Sequence, residues 1–375
     1  MTTFPSSPWH EAQVFYADEH RMLARSLEAS KLDHDEALDD PARVAKRLAE
    51  LGLLEHVGKP SARKLAVVRE ILAYHSPLAD AVFAVQGLCA YPLLLAQRTE
   101  EVAALARGDR VGGFALTEPE AGSDVASMRT RARQEGGEWI LDGEKTLISN
   151  VGIAHQFVVF AKAGDDKKSI SAFLVPADAP GVELVRIPLS GHHPLGRIVL
   201  SSCRVPSSAL VGNVGQGLSL ALGTLGLYRA TVGAAANGMA WRALEETITH
   251  VTRREQFGKK LAELQLVQAA IADMTTELCA SRLLVASAAF ELDADRTMSE
   301  AARRAQHGRV ASMAKMYATE AAQRIIDRAV QLHGGIGVAL GSKVEELYRE
   351  IRPLRIYEGA TDVLKLVIAS SILGK

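Results

Sequence analysis

Cysteine is scarce. The chain has three in 375 residues, Cys89, Cys203 and Cys279, far apart. That number and spacing exclude a disulfide framework and a paired structural zinc site, and a reducing cytoplasm is the expected home. An excess of one charge is missing too. Lys plus Arg total 43 against 44 for Asp plus Glu, a formal net charge of −1. Such a balance gives no electrostatic footprint for nucleic acid, although local basic groups can still hold the phosphates of a small molecule. The opening "MTTFPSSPWHEAQ" has no basic segment leading into an apolar run, so no secretory leader is expected. No uncharged apolar stretch reaches the roughly 20 residues that span a bilayer. There is no internal repeat and no low-complexity segment.

What is present is globular composition, 48% hydrophobic and 23% charged, in a chain long enough for two or three subdomains. Residues 8–107 read as helical. "DPARVAKRLAELGLL" repeats apolar residues near a 3.6-residue period at Val44, Leu48, Leu51 and Leu54, with Asp40 and Pro41 as cap and first turn. "LADAVFAVQGLCAYPLLLAQ" is apolar or small almost throughout, as a helix buried on most sides requires. From Val111 to about Gly212 the pattern changes to short strands such as "QFVVFAKA" and "SAFLVP". The Gly-Gly and Asp-Gly of "EGGEWILDGEK" predict hairpins. Pro206 ends "RIVLSSCRVP". Helical patterning then returns, with three long helices predicted over 215–252, 261–293 and 298–332. Capping boxes are predicted at Thr297–Glu300 and Ser342–Glu345, and the glycines of "HGGIG" close the third helix.

Four stretches carry candidate chemistry. In "ALTEPEAGSDVASM" a strand gives way to small residues, Ala121 and Gly122, that let a backbone approach a ligand, beside the hydroxyls of Thr117 and Ser123. Taken alone it is equally a polar loop. "GEKTLISN" ends a strand in Ser149 and Asn150. "RREQFGKK" places arginines at a helix end and a Phe-Gly turn, where a guanidinium fork suits a pyrophosphate. The simpler role is a basic helix end favoured by the dipole. "IYEGATDVLKL" sets one carboxylate, Glu358, between an aromatic residue and a glycine. Two features are set aside. "QLHGGIG" lacks the strand-then-helix context of a dinucleotide fingerprint. His192 and His193 are adjacent, which makes them poor joint metal ligands, so a loop role is expected and no metal site.

Together, in this order, these stretches resemble the acyl-CoA dehydrogenase family of flavoproteins over nearly the whole chain. The resemblance is strongest in "LTEPEAGSD", in "RREQFGKKLAELQLVQAAIADM" and from "QLHGGIG" through "ELYREIRPLRIYEGATDVLKL". It implies an α+β architecture: an N-terminal α-helical domain over 1–110, a central β-barrel-like domain over 111–211, and a C-terminal four-helix bundle over 212–375. It also implies FAD, held non-covalently at the interface of a homodimer within a homotetramer.

Carried over by position, the resemblance implies that Phe114, Leu116, Thr117, Gly122 and Ser123 line the flavin on one side. Leu147, Ile148 and Ser149 do so on another, with Ser149 near its reactive nitrogen. Leu147 stands where many members have an aromatic residue. Arg254, Gln256 and Phe257, with Gln331, Gly334 and Gly335, are expected at the FAD of the partner subunit, and Leu264, Gln265, Ala360, Thr361 and Asp362 at further cofactor positions. Ser123, Tyr228, Arg229 and Gly359 match substrate-contacting positions. Gly226 and Ala360 replace an acidic residue and a threonine found in other members. Glu358 matches the base that removes the α-proton of an acyl-CoA thioester while hydride leaves the β-carbon for the flavin, giving a 2-enoyl-CoA. A backbone N–H of the base and a flavin hydroxyl would bond the thioester oxygen. Tyr228 matches the position where some members put the base instead, but a phenol with a reference pKa near 10 is a poor one. The electron acceptor implied is an electron-transferring flavoprotein. An oxygen-reactive oxidase of the same fold and a non-catalytic DNA-associated relative are the alternatives. The acyl group is not fixed by these residues.

Overall fold

A computed structural model of the chain describes residues 14–30, 32, 35–294 and 297–374. Among the described residues six helices come first: α1 (Asp18–Ala29), α2 (Val44–Glu50), α3 (Glu55–Gly58), α4 (Ala62–His75), α5 (Pro77–Leu95) and α6 (Thr99–Ala106). Eight strands follow: β1 (Gly112–Ala115), β2 (Arg131–Glu135), β3 (Glu138–Ser149), β4 (Gln156–Lys162), β5 (Ile170–Pro176), β6 (Val182–Ile187), β7 (Leu195–Pro206) and β8 (Leu210–Val211). Then come α7 (Gly217–Arg253), a small ribbon of β9 (Glu255–Gln256) and β10 (Lys259–Lys260), α8 (Gln265–Asp293), α9 (Glu300–His333), α10 (Lys343–Ile351) and α11 (Thr361–Leu373). The three long predicted helices are α7, α8 and α9, and the predicted strand block is β1 to β8.

The chain packs as two compact units. One comprises Glu36–Pro60 and Ala81–Leu225; the other comprises the described residues up to Asp35, Ser61–Asp80 and those from Gly226 on. The first unit holds the sheet, in the order β6-β7-β3-β2-β4-β5-β8, with β1 pairing β4 in parallel. Alternating apolar residues of β4 and β5, Phe157, Val159, Phe173 and Val175, meet Trp139, Leu141, Ile198 and Val205 in one core. The β2–β3 hairpin closes on Gly136 and Gly137, at φ +59° and +86°, as the two-residue turn demands. The second expected hairpin is not formed. At Asp142 and Gly143 strand β3 continues, and its register against β7 shifts between Leu141 and Gly143. A Cβ on Gly143 would lie 2.6 Å from Thr130 Oγ1, so the glycine serves a strand irregularity beside a close neighbour rather than a turn.

The second unit is a helical assembly. Alanines of α4, α7, α8 and α9 dominate its core, with Val285, Ile325, Ile326 and Leu347. Small side chains let helices approach: a Cβ on Gly238 of α7 would sit 2.0 Å from the Glu70 carbonyl of α4. Three predicted caps need correction. Helix α9 starts at Glu300, capped by Ser299 accepting from Ala302 N, so the box at Thr297–Glu300 is displaced. Ser342 precedes α10 but makes no side-chain cap bond. Asp40 instead closes a turn, its carboxylate accepting from Ala42 N at 2.8 Å, ahead of α2. Gly334, at φ +63°, ends α9 as expected.

Helix α5, at 19 residues and a window hydropathy of 1.6, is by length and composition apolar enough to cross a membrane, which the reading of uncharged runs missed because it contains Asp80. It is 78% buried over that window, the state of the core helix anticipated for "LADAVFAVQGLCAYPLLLAQ".

Candidate active site

In the sheet unit the two expected flavin-facing stretches lie side by side. The residues after β1 run against the second half of β3, where Thr146 N donates to Thr117 O at 2.9 Å. Beneath them is a buried ion pair that the motifs did not single out. Lys145, 0% exposed, donates to Glu118 Oε1 at 2.7 Å and to Leu116 O at 3.2 Å. Glu118 also accepts from Arg129 N, and from Thr130 N and Oγ1 at 3.0 and 2.6 Å. Burial raises the Glu118 pKa, but Lys145 and these donors outweigh it and hold the carboxylate below its ordinary value. Burial lowers the Lys145 ammonium to about 8 against the opposing pull of Glu118. The pair fixes the turn in which Glu118 and Ala121 exchange backbone hydrogen bonds at 3.1 Å. Gly122 and Ser123 are thereby left exposed, while Leu116 and Ile148 are buried. Phe114 is half-buried against the Phe160 ring. Ser149 is half-buried at the end of β3.

Leu147 is 57% exposed and takes φ +55°. Six described non-glycine residues take left-handed φ, and Leu147, Phe257 and Glu358 are three of them. Such strain tends to persist where the surroundings impose it, often at functional sites.

The helical unit holds the loop that carries Glu358. Glu358 has φ +52° and Gly359 φ +109°. The positive φ at Gly359 favours glycine, and a Cβ there would lie 2.7 Å from Leu364 Cδ2, so a side chain would also have to displace Leu364. Two cations hold consecutive carbonyls of this loop. Arg229 Nε donates to Glu358 O at 2.9 Å, and Lys315 Nζ donates to Gly359 O at 2.8 Å. The flanks are fixed by Glu320, which binds Arg355 Nε and Thr361 Oγ1, each at 2.8 Å. Behind the loop, Arg69 makes a bidentate buried pair with Asp80 at 2.8 and 2.9 Å and donates to Thr231 Oγ1 at 3.0 Å. Thr231 in turn donates to Tyr228 O. Tyr228 itself is fully buried.

The Glu358 carboxylate is half-buried, and its Oε2 is buried with no hydrogen-bond partner among the described residues. Burial raises its pKa above the ordinary carboxylate value; Arg69, Arg229 and Lys315 oppose the rise and Asp80 adds to it. An unpaired carboxylate of raised basicity, on a loop whose backbone is pinned, is suited to accept a proton from a weak carbon acid.

The remaining candidates gather at another part of this unit. Arg254, Gln256 and Phe257 are exposed around the β9–β10 turn, where Leu261 N donates to Arg254 O at 2.9 Å. Gln331, Gly334 and Gly335 are exposed at the end of α9. The two segments belong to one end of the helices, because His250 near the end of α7 stacks on His333 near the end of α9 at 4.4 Å between centroids. Leu264 caps α8 and Gln265 begins it. Ala360 and Thr361 are half-buried and Asp362 is exposed at the start of α11. The loop between β6 and β7 holds His192 and His193, as expected. No cluster of three or more metal-ligating side chains occurs among the described residues.

An α+β chain with a sheet unit, a helical unit and a half-buried Glu358 whose Oε2 is unpartnered next to Gly359 agrees with what the resemblance to acyl-CoA flavoenzymes implies. The comparisons agree. The family model for the acyl-CoA dehydrogenase middle domain matches residues 113–203, and that for the C-terminal domain matches residues 215–373. A 3-(aryl)acrylate reductase of Clostridium sporogenes is 32% identical over 96% of this chain and 100% of its own length. The caffeyl-CoA reductase-Etf complex subunit CarC of Acetobacterium woodii is 36% identical over 77% of this chain and 76% of its own. A glutaryl-CoA dehydrogenase of Mycobacterium smegmatis, solved in complex with FADH2, superposes with a TM-score of 0.87 at 28% identity, covering 97% of this chain and 96% of that one. The chain belongs to the acyl-CoA dehydrogenase family and is an FAD-dependent oxidoreductase of acyl-CoA thioesters.

The residues present fit FAD. A Cβ added at Gly122, Gly334 or Gly335 meets nothing within 4 Å, so the backbone there is unobstructed, as an approaching cofactor would need. The exposed guanidinium of Arg254 adds the cation that a pyrophosphate wants.

Proposed function

We propose that Glu358 is the base that removes the α-proton of an acyl-CoA thioester, so that the thioester is converted to its 2-enoyl-CoA. The observation that carries this is Glu358 Oε2, buried and unpartnered, on a loop whose carbonyls are held by Arg229 and Lys315. Bound FAD supplies the acceptor for the hydride that leaves the β-carbon. The residues that the resemblance assigns to FAD are Phe114, Leu116, Thr117, Gly122, Ser123, Leu147, Ile148, Ser149, Leu264, Gln265, Ala360, Thr361 and Asp362. Ser123, Tyr228, Arg229 and Gly359 bound the substrate. Excluding water there strengthens every charge interaction around the developing enolate.

Arg254, Gln256, Phe257, Gln331, Gly334 and Gly335 serve the FAD of a second copy, in a homotetramer built of dimers. Supporting this, Phe257 is 89% exposed, Leu266 87% and Leu340 85%, an apolar exposure that a partner subunit would cover. The electron partner is an electron-transferring flavoprotein, the kind of complex for which CarC is named, in the cytoplasm. For the acyl group, aryl-substituted three-carbon thioesters lead, because two relatives are named for aryl acrylate and caffeyl chemistry. Gly226, where an added Cβ meets nothing within 4 Å, leaves room for bulk.

The test is an anaerobic titration of the flavin-loaded protein with straight, branched, cyclic and aryl-substituted acyl-CoAs, read as bleaching of flavin absorbance. Bleaching by the aryl series at the lowest concentration is expected. No bleaching by any thioester, with FAD bound, would contradict the dehydrogenation reading.

A further inference from the structure

Burying an ammonium is costly unless its environment returns the lost hydration. Lys315 of α9 is 0% exposed. It has no carboxylate within ion-pair distance among the described residues, and its hydrogen bond goes to one backbone oxygen, that of Gly359, at 2.8 Å. A lysine kept in such a place for packing alone would be replaced at little loss by methionine, which has a similar shape and no charge. Its position says more. Five residues further along the same helix, Glu320 binds Arg355 and Thr361 on either side of the loop. Helix α9 therefore grips the loop at its flanks through Glu320 and at its apex through Lys315. The residue gripped at the apex directly follows Glu358, itself held at φ +52°. A left-handed conformation at a non-glycine residue relaxes unless it is held.

We propose that Lys315 is a positioning residue for the base: its ammonium on the Gly359 carbonyl locks the Gly359–Ala360 peptide, one beyond the peptide that Arg229 holds, and keeps a positive charge within electrostatic reach of the carboxylate. This rests on the reading of Glu358 as base. The largest charge influences on the two are specific. Lys315 feels Glu358, Arg229, Glu320 and Arg355, and Glu358 feels Arg69, Arg229, Lys315 and Asp80. Burial lowers the Lys315 ammonium to about 8, with Glu358 opposing the fall. The Arg229 contact fixes only the Glu358 carbonyl. Without Lys315 the next peptide is free to rotate, and the carboxylate loses both its aim and one opposing charge.

The experiment uses the flavin-loaded protein, with Lys315→Met, Lys315→Arg and Glu358→Gln compared against the unaltered chain. FAD content, affinity for a non-reducing 2-enoyl-CoA, and the pH profile of flavin bleaching by the active thioester are measured. For Lys315→Met we expect normal FAD content, enoyl-CoA affinity within about twofold, and bleaching slowed about ten- to hundredfold, the worth of one charge-assisted hydrogen bond. The acid limb of the profile should move to higher pH, because removing a cation raises the pKa of the carboxylate that must be ionised to act. Lys315→Arg should restore the limb and most of the rate. If Met is not tolerated, Lys315→Gln, neutral and shorter, is read the same way. A neutral variant that bleaches at the normal rate, or is slowed with an unmoved limb, would overturn the role of Lys315 alone. Glu358→Gln bleaching at the normal rate would overturn the base assignment, and the Lys315 proposal with it.

Discussion

A glutamate in water is too weak a base to take an α-proton from a thioester, so Glu358, as the proposed base, needs surroundings that raise its basicity. Burial raises its pKa, and three surrounding cations keep the rise in check. Two outcomes follow from the sign of the shift. Only the ionised form accepts a proton, so the bleaching rate should fall as pH drops through the folded pKa, at a pH above the ordinary carboxylate range. The same shift has a stability consequence. A carboxyl whose folded pKa is raised stabilises the fold fully below its unfolded value and loses that contribution as pH rises through the folded one. At neutral pH the charge is therefore held at some expense, and Glu358→Gln should melt no lower than the unaltered protein; a clear drop in Tm would mean that the charge stabilises the fold. Glu358 was legible because it lies in a dense motif. Lys315, Arg69 and Asp80 were not, because a single lysine, arginine or aspartate in a helix has no pattern until the fold brings it beneath the loop.

At the scale of elements, periodicity placed α7, α8, α9 and the strand block within a few residues, since long amphipathic and alternating patterns are strongly determined. What misled was local chemistry with two uses. Asp142-Gly143 has the residues of a hairpin turn but serves an irregular strand against Thr130. Thr297 and Ser299 both suit a cap, and α9 uses Ser299. The buried Lys145–Glu118 pair gives the sharpest element-scale expectation. Glu118→Met strands an ammonium with only the Leu116 carbonyl, whereas Lys145→Met leaves Glu118 its contacts with Arg129 and Thr130. Breaking such a pair costs roughly 3–5 kcal/mol. Glu118→Met should fall in that range and Lys145→Met below it, with FAD retention weakened in both, by denaturant unfolding and flavin content. Equal losses would argue that the donors at Arg129 and Thr130 contribute nothing.

For the whole molecule, near-neutral charge and scattered cysteines narrowed the class, while several motifs in order identified the family more firmly than any one motif could. An assembly is implied only by the resemblance, and the exposed Phe257, Leu266 and Leu340 are apolar surface that it would cover. A chain of 40.2 kDa should therefore elute as a dimer or tetramer in light scattering; a stable monomer with FAD bound would contradict it. Arg254→Ala should loosen FAD without altering the pH profile of bleaching in the flavin-loaded fraction, and unchanged flavin retention would remove Arg254 from the pyrophosphate. The most direct measurement is a single-turnover bleaching experiment on Glu358→Gln, with FAD and acyl-CoA binding verified beforehand. Loss of roughly 10²–10⁴-fold in rate with both ligands still bound is expected of a missing general base. A rate within a few-fold of the unaltered enzyme would show that another group takes the α-proton.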